Sequence, residues 1–347
     1  MTLYAGTGRP GRVYRYGGGT NWTLISGDLD EVVLCLHSHG GKLYAGTSTK
    51  FGNNSLAVGK VYRYDGGTTW TRIGGDLDRQ AASLATYGED LIVGTVGISM
   101  RTYRLDGDNW VLRQSHGGDT SGVRAMAVID GNLYEGDYFY DIIARNGSLV
   151  LDKSVTGIWG SCIWDFADHG GAIYAGAYNG TYYYSSDGIN WVTYSGAPFT
   201  DHDHPADNIW AVNSFKGDIY FGCRALYKTT SHTQVWTITG DIRSHILALL
   251  SDSNTMYIGI GSELGYLSNT AGEGYVYSYT GSGSPSLISG MMGIGVQTLC
   301  FHTPGFNIWV KKGGEWIQVT EIWTKKGGVW QAVTDVSTLK GGSWNTV

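Results

Sequence analysis

Apolar and polar residues alternate in runs of four to six along almost the whole chain, as in VYRY and WTRI within VYRYDGGTTWTRI at residues 61–73. Period-two alternation predicts half-buried strands. No window sustains apolar residues at i, i+3, i+4 and i+7, so an all-β fold is expected. Gly-Gly, Asp-Gly and Asn-Gly pairs between the alternating runs predict tight hairpin turns.

One apolar phrase recurs with few changes. It reads LYAGT at Leu3 and Leu43, LIVGT at Leu91, LYEGD at Leu133, IYAGA at Ile173, IYFGC at Ile219 and MYIGI at Met256, at spacings of 40, 48, 42, 40, 46 and 37 residues. Each phrase after the first follows an apolar run and a turn, and most precede a Tyr-rich strand and then a Trp strand. Four short strands per unit at this period predict a seven-bladed β-propeller. The first unit starts at its second strand. Its missing first strand reappears at the other end as VQTLCFHT, Val296 to Thr303, beside the comparable VVLCLHSH at Val32 to His39. Pairing the C-terminal strand into the N-terminal blade would close the ring and remove two exposed sheet edges.

The propeller is therefore expected to occupy residues 1–303, leaving 304–347 as a tail with a different, 14-residue period: IWVKKGGEWIQV, IWTKKGGVWQAV and a degraded VSTLKGGSWNTV. A two-residue turn at Gly313-Gly314 sets Ile308 opposite Val319, Val310 opposite Ile317, Trp309 opposite Gln318 and Lys311 opposite Trp316. In the second copy Ile322 opposes Val333, with Trp323, Lys325 and Trp330 on the other face. In the third Val336 opposes Val347 and Leu339 opposes Trp344. Both faces of these hairpins carry large apolar groups, and a lone hairpin is marginal in water. The tail is expected to bury Ile308, Trp309, Val310, Trp316, Val319, Ile322, Trp323, Trp330, Val333 and Trp344 against further copies, the propeller wall or another protein.

Composition agrees with turn-rich β-structure: 54 Gly, 24 Tyr and 13 Trp among 347 residues, with 16% charged. The net charge of −6, without a basic stripe, argues against nucleic acid as a partner. The N-terminal MTLYAGTGRP lacks the features of a cleaved signal, and no run approaches 18 apolar residues, so neither secretion by such a signal nor membrane insertion is expected. Four scattered cysteines fit buried free thiols. Cys35 and Cys300 align at one repeat position that elsewhere holds Ser83, Ala125, Ala211 and Ala248.

Candidate chemistry gathers on one rim, where the loops entering each innermost strand meet those joining the second and third strands. That rim is expected to carry Phe51, Tyr138, Phe139, Trp159, Tyr178, Tyr266 and the polar run Asp201, His202, Asp203, His204 and Asp207. Aromatic faces beside Asp side chains suit sugar rings, with their apolar C–H faces and hydroxyl edges. Alternating Asp and His could ligate a metal, but no distant third ligand stands out and the run also reads as a solvated loop, so neither metal nor cofactor is expected. No catalytic residue is assigned, because no pair of carboxylates or Tyr–Glu pair is marked out.

Two resemblances add to this. Asp65-Gly-Gly-Thr-Thr-Trp70 resembles the Asp-box of sialidases and related propellers, as do the shortened forms Asp106-Gly-Asp-Asn-Trp110 and Ser185-Ser-Asp187-Gly-Ile-Asn-Trp191. In that family the box is a structural turn remote from the active site. The tail copies from Trp309 to Trp316 and from Trp323 to Trp330 resemble hairpin repeats in bacteriophage tail and fibre proteins. That resemblance implies a virion protein bound through its tail to other virion subunits, as a homo-oligomer with a trimer expected, and displaying a propeller that recognises a host surface polysaccharide without cleaving it. A glycan-cleaving propeller and an architectural head-decoration or collar protein are the alternatives.

Overall fold

The computed structural model describes residues 1–50, 57–97, 100–116, 122–138, 142–152, 162–194, 208–228, 233–237, 244–262, 274–293, 295–303 and the backbone of six strands beyond 307. Every regular element among them is a strand, as the alternation predicts.

The chain opens with β1 (Thr2–Gly11), β2 (Val13–Tyr16) and β3 (Trp22–Leu24). Antiparallel four-stranded runs then follow in chain order. The first holds β4 (Asp30–His39), β5 (Lys42–Ser48), β6 (Gly59–Gly66) and β7 (Thr69–Leu77), and the second β8 (Gln80–Tyr87), β9 (Asp90–Val96), β10 (Met100–Asp106) and β11 (Asn109–His116). Next come β12 (Val123–Ile129), β13 (Asn132–Asp137), β14 (Ile142–Arg145) and β15 (Ser148–Asp152), then β16 (Ile163–His169), β17 (Ala172–Ala177), β18 (Tyr182–Ser185) and β19 (Val192–Tyr194). The last two runs are β20 (Ala211–Phe215), β21 (Asp218–Gly222), β22 (Ala225–Lys228), β23 (Thr233–Thr237), and β24 (Ser244–Ser251), β25 (Met256–Ser262), β26 (Tyr275–Tyr279), β27 (Ser286–Leu287). Finally β28 (Gly295–His302) pairs antiparallel with β1, from Thr2↔His302 to Gly8↔Gly295, and supplies the strand missing from the N-terminal run.

The runs beginning at β12, β16 and β20 are separate four-stranded sheets. The others merge into one 16-stranded sheet through short edge links, such as Gly261↔Gly295, Asn109↔Gly74 and Gly8↔Val32. The first strands form a circuit of neighbours: β4 lies beside β8, and so on through β12, β16, β20, β24 and β28, which returns to β4.

The recurrent phrase is the second strand of each run and packs on both faces. Leu43, Leu91, Leu133, Ile219 and Met256 are at most 1% exposed, and the neighbouring Tyr4, Tyr134 and Tyr220 at most 2%. Burial on both faces explains why the phrase reads as a continuous apolar run rather than an alternating one. Its glycine has a steric reason. A Cβ on Gly222 would lie 2.5 Å from Ile246 Cγ2 in the next run, on Gly136 2.6 Å from Ile163, on Gly6 2.7 Å from Val33 and on Gly259 2.8 Å from Val296. Each of those β-branched residues immediately precedes or opens the kinked part of an innermost strand, where the register shifts, as between Val33 and Cys35 or Ile163 and Asp165.

After the shift comes a residue that is small in most runs and reaches the next innermost strand. Ser83 Oγ donates to Val123 O (3.3 Å), Thr298 Oγ1 accepts from Leu36 N (3.3 Å), and Asp165 Oδ2 accepts from Val212 N (2.9 Å). Cys35 Sγ points at Ala81 O (3.6 Å). This register corrects the cysteine alignment. Cys35 pairs with Gly46, whereas Cys300 pairs with Tyr4, so Thr298, opposite Gly6, is the residue equivalent to Cys35. Gln297 holds the bulge position that Leu34 holds in β4, so Cys300 is the equivalent of His37 and not of Cys35. No disulfide joins the four cysteines, and burial pushes the Cys35 and Cys300 thiols up to about 12, which leaves these two inert as nucleophiles.

At the outer edge, indole N–H groups bridge consecutive runs: Trp22 to Ile288 O (2.9 Å), Trp70 to Ile25 O (2.9 Å) and Trp110 to Ile73 O (3.2 Å). The Asp187 turn is braced by its own carboxylate, which accepts from Ile189 N, Asn190 N and Asn190 Nδ2 at 2.7–2.8 Å; these bonds hold its pKa well below the usual carboxylate range.

The tail holds three two-stranded sheets: β29 (Ile308–Lys312) with β30 (Glu315–Val319), β31 (Trp323–Lys326) with β32 (Val329–Ala332), and β33 (Ser337–Lys340) with β34 (Ser343–Thr346). The register is the expected one at Ile308↔Val319, Trp309↔Gln318, Val310↔Ile317, Lys311↔Trp316, Lys325↔Trp330 and Leu339↔Trp344. Gly313, Gly314, Ile322, Val333, Val336 and Val347 lie outside the described residues.

Replacing Gly222 with alanine drives a methyl group into Ile246 and should destabilise the protein by about 1–3 kcal/mol. Gly27 has open space where the methyl group would go, with nothing within 4 Å, and should tolerate alanine. Urea melts of the two variants beside the parent measure the contrast.

Candidate functional site

The innermost strands enclose a cavity of about 200 Å³ lined from β4, β8, β12, β16, β24 and β28 and by Trp210, which immediately precedes β20. Its wall is uneven. The bulge position contributes Leu34, Ala82, Leu247 and Gln297 on one side, but Arg124, Trp164 and Trp210 on three consecutive strands of the other. The next position is Cys35, Ser83, Ala125, Ala211, Ala248 or Thr298 in the other runs and an acid, Asp165, in β16.

These four side chains form one constellation. The Trp164 and Trp210 ring centroids are 3.9 Å apart at 46°, and the Arg124 guanidinium carbon lies 5.2 Å from the Trp164 centroid. Tyr138 packs edge-on against Trp164 at 5.9 Å, and His245 against Trp210 at 6.0 Å. The buried indole N–H groups of Trp164 and Trp210 meet no acceptor among the described residues. Asp165 accepts from Phe166 N and Val212 N, both at 2.9 Å. Burial outweighs these bonds and the nearby Arg124 charge, raising its pKa to about 7. Asp165 is the single carboxyl group in the wall among the described residues. The site thus offers a cation, two indoles and a carboxyl group that stays protonated into the neutral range.

Of the rim residues expected to bind, Tyr138 joins this constellation. Tyr178 is half-buried in the turn between β17 and β18, where its carbonyl accepts from Thr181 N (3.1 Å), and does not line the cavity. Phe51, Phe139, Trp159, Asp201, His202, Asp203, His204, Asp207 and Tyr266 lie outside the described residues. Arg124, Trp164, Asp165 and Trp210 were not marked out by residue type. The available signal was positional: each departs from the small or aliphatic residue that the other repeats carry at the same register. Among the described residues no group of three His, Cys, Asp or Glu side chains could hold a metal.

No protein-family model and no curated protein matches the sequence. Solved structures do. The WD40 β-propeller domain of Doa1 superposes with a TM-score of 0.52 at 14% identity, over 77% of this chain and 92% of that one. Sqt1 of Saccharomyces cerevisiae gives 0.54 at 13% identity, over 83% and 82%. The fold is β-propeller-like. A Bacteroides fragilis protein provisionally assigned as a 6-phosphogluconolactonase gives 0.55 at 14% identity, over 86% and 97%. The extracellular domain of a hybrid two-component system from B. thetaiotaomicron gives 0.55 at 14% identity; the match covers 90% of this chain but only 39% of that one. At these identities the likeness concerns the fold alone.

Because Asp165 keeps its proton up to about pH 7 in the folded protein and loses it near 4 when unfolded, folding stability should be greatest below pH 4 as far as this group is concerned and decline as pH rises to 7. Asp165→Asn should lower stability overall, since its amide nitrogen faces a backbone donor, and should flatten that decline. Urea midpoints at pH 4.5, 6 and 7.5 for both proteins test the sign.

Proposed function

We propose that the chain is a virion-borne recognition protein: a seven-bladed propeller over residues 1–303 that binds a host surface glycan at its central cavity, held to the particle by the hairpin tail at 304–347. The blade count comes from treating the short edge links in the large sheet as contacts between blades, which leaves four runs there beside the three separate sheets. The observation that carries the binding site is the concentration of Arg124, Trp164, Asp165 and Trp210 on one wall of a cavity whose other wall carries Leu34, Ala82, Leu247 and Gln297 at the same register. Paired indoles beside hydrogen-bonding groups suit a saccharide. The virion assignment rests on the tail sequence, and three two-stranded sheets, each marginal alone, favour a tail that needs a partner. A cyclic trimer would place three sites on one surface and turn weak contacts into avidity.

Labelled protein should adsorb to host cells. Trp164→Leu and Trp210→Leu, which install the residue found at the same register in β4 and β24, should each weaken adsorption by about tenfold or more without unfolding the protein. Undiminished adsorption would remove the cavity from the mechanism. Light scattering should give a multiple of the monomer mass for the full chain and the monomer mass for a chain ending at Thr303.

One observation favours hydrolysis as a second reading: Asp165, protonated near neutrality inside the cavity, has the ionisation of a general acid. Release of shortened chains from host polysaccharide, abolished in Asp165→Asn, would establish it over simple binding.

A further inference from the structure

The cavity wall carries donors that meet no acceptor among the described residues. Trp164 Nε1 and Trp210 Nε1 are buried donors without partners, and Arg124 has no ion pair among the described residues. The carboxylate nearest to Arg124 along the wall, Asp165, gives its two oxygens to Phe166 N and Val212 N. A guanidinium left against an indole face retains its planar fork of N–H donors for an incoming anion. The opposite wall, with Leu34, Ala82, Leu247 and the neutral amide of Gln297, adds contact surface and no charge. This is a pocket that supplies positive charge and donors on one side and contact area on the other.

We propose that the cavity selects a singly charged, carboxylate-bearing saccharide, with the Arg124 guanidinium pairing with the sugar carboxylate and the Trp164–Trp210 pair packing against the ring. The inference rests on the cavity being the binding site and adds the class of sugar it takes. A single cation matches one negative charge. A phosphate monoester dianion would bring a second charge into the cavity with no further cation among the described wall residues to offset it. Planar carboxylate also meets the guanidinium in two parallel N–H···O bonds, which gives orientation as well as attraction.

The test uses the full chain and three sugar acids, glucuronate, galacturonate and N-acetylneuraminate, each titrated beside its own methyl ester and followed by tryptophan fluorescence. The ester keeps the ring and loses the charge. At least one acid should bind roughly 10- to 100-fold more tightly than its ester, the range expected for a charge-assisted pair. Arg124→Leu, which again installs the residue of β4 and β24 at this register, should bring acid and ester to equal affinity. Trp164→Leu should weaken both together. Equal binding of every acid and ester, or a preference that survives in Arg124→Leu, would overturn the proposal. Loss of host adsorption in Trp164→Leu alongside equal acid and ester binding would leave the cavity as the site and remove only the charge selectivity. Adsorption that persists in Trp164→Leu would instead count against the cavity itself.

Discussion

The arrangement depends on one contact, made again at every junction between runs except that at Gly46, where Ala81 takes the place of the β-branched residue. A glycine in the middle of a doubly buried strand receives a β-branched side chain from the next innermost strand, closely enough that a single methyl group would collide with it. Because the glycine has no side chain, two sheets can approach at the centre of the molecule, and because the partner is stiff at χ1, the approach has one geometry. The shift in register next to that partner bends the innermost strand and turns the following residue toward its neighbour. Side chains there that can hydrogen-bond do so across the junction, and alanines fill the others.

That contact also sets what the centre can hold. The residue between the wedge and the small position lines the cavity in run after run, so its identity is free of the packing that fixes its neighbours. Leucine, alanine and glutamine occupy it on one side. Arginine and two tryptophans occupy it in three adjacent runs, where they pack against one another. The proposed binding residues thus occupy the register that lies between the wedge and the small position of each junction.

Much of this architecture was legible in the chain because each element announces itself through a steric need. LYAGT-type phrases carry the glycine that the junction requires, and the tail copies carry the Gly-Gly that a two-residue turn requires. The C-terminal run read as a first strand because its apolar order repeats that of Val32 to His39, and β28 does pair with β1, one residue earlier than expected at each end. What could not be read was the bulge. An extra residue that breaks pairing leaves no mark in a hydrophobic pattern, and matching Cys300 to Cys35 by residue type missed the register by two places, since Thr298 is the residue opposite the glycine. The same blindness hid Arg124, Trp164, Asp165 and Trp210, since a charged or aromatic residue inside an alternating strand looks like an outward-facing one until the register is known. Loop length drew attention to the rim instead, and of the residues chosen there Tyr138 stands beside the constellation.

The position of β28 bears on how the molecule would carry a mechanical load. The strand that completes the N-terminal run is also the one from which the tail departs, so tension on the tail enters the body at His302. From there it is directed onto the antiparallel pairing between Thr2–Gly8 and Gly295–His302. The indole of Trp22, bonded to Ile288 O, ties the outer part of that same run to the preceding one. Paired in one sheet, β1 and β28 would share a pull, so neither strand could peel away without first separating from the other.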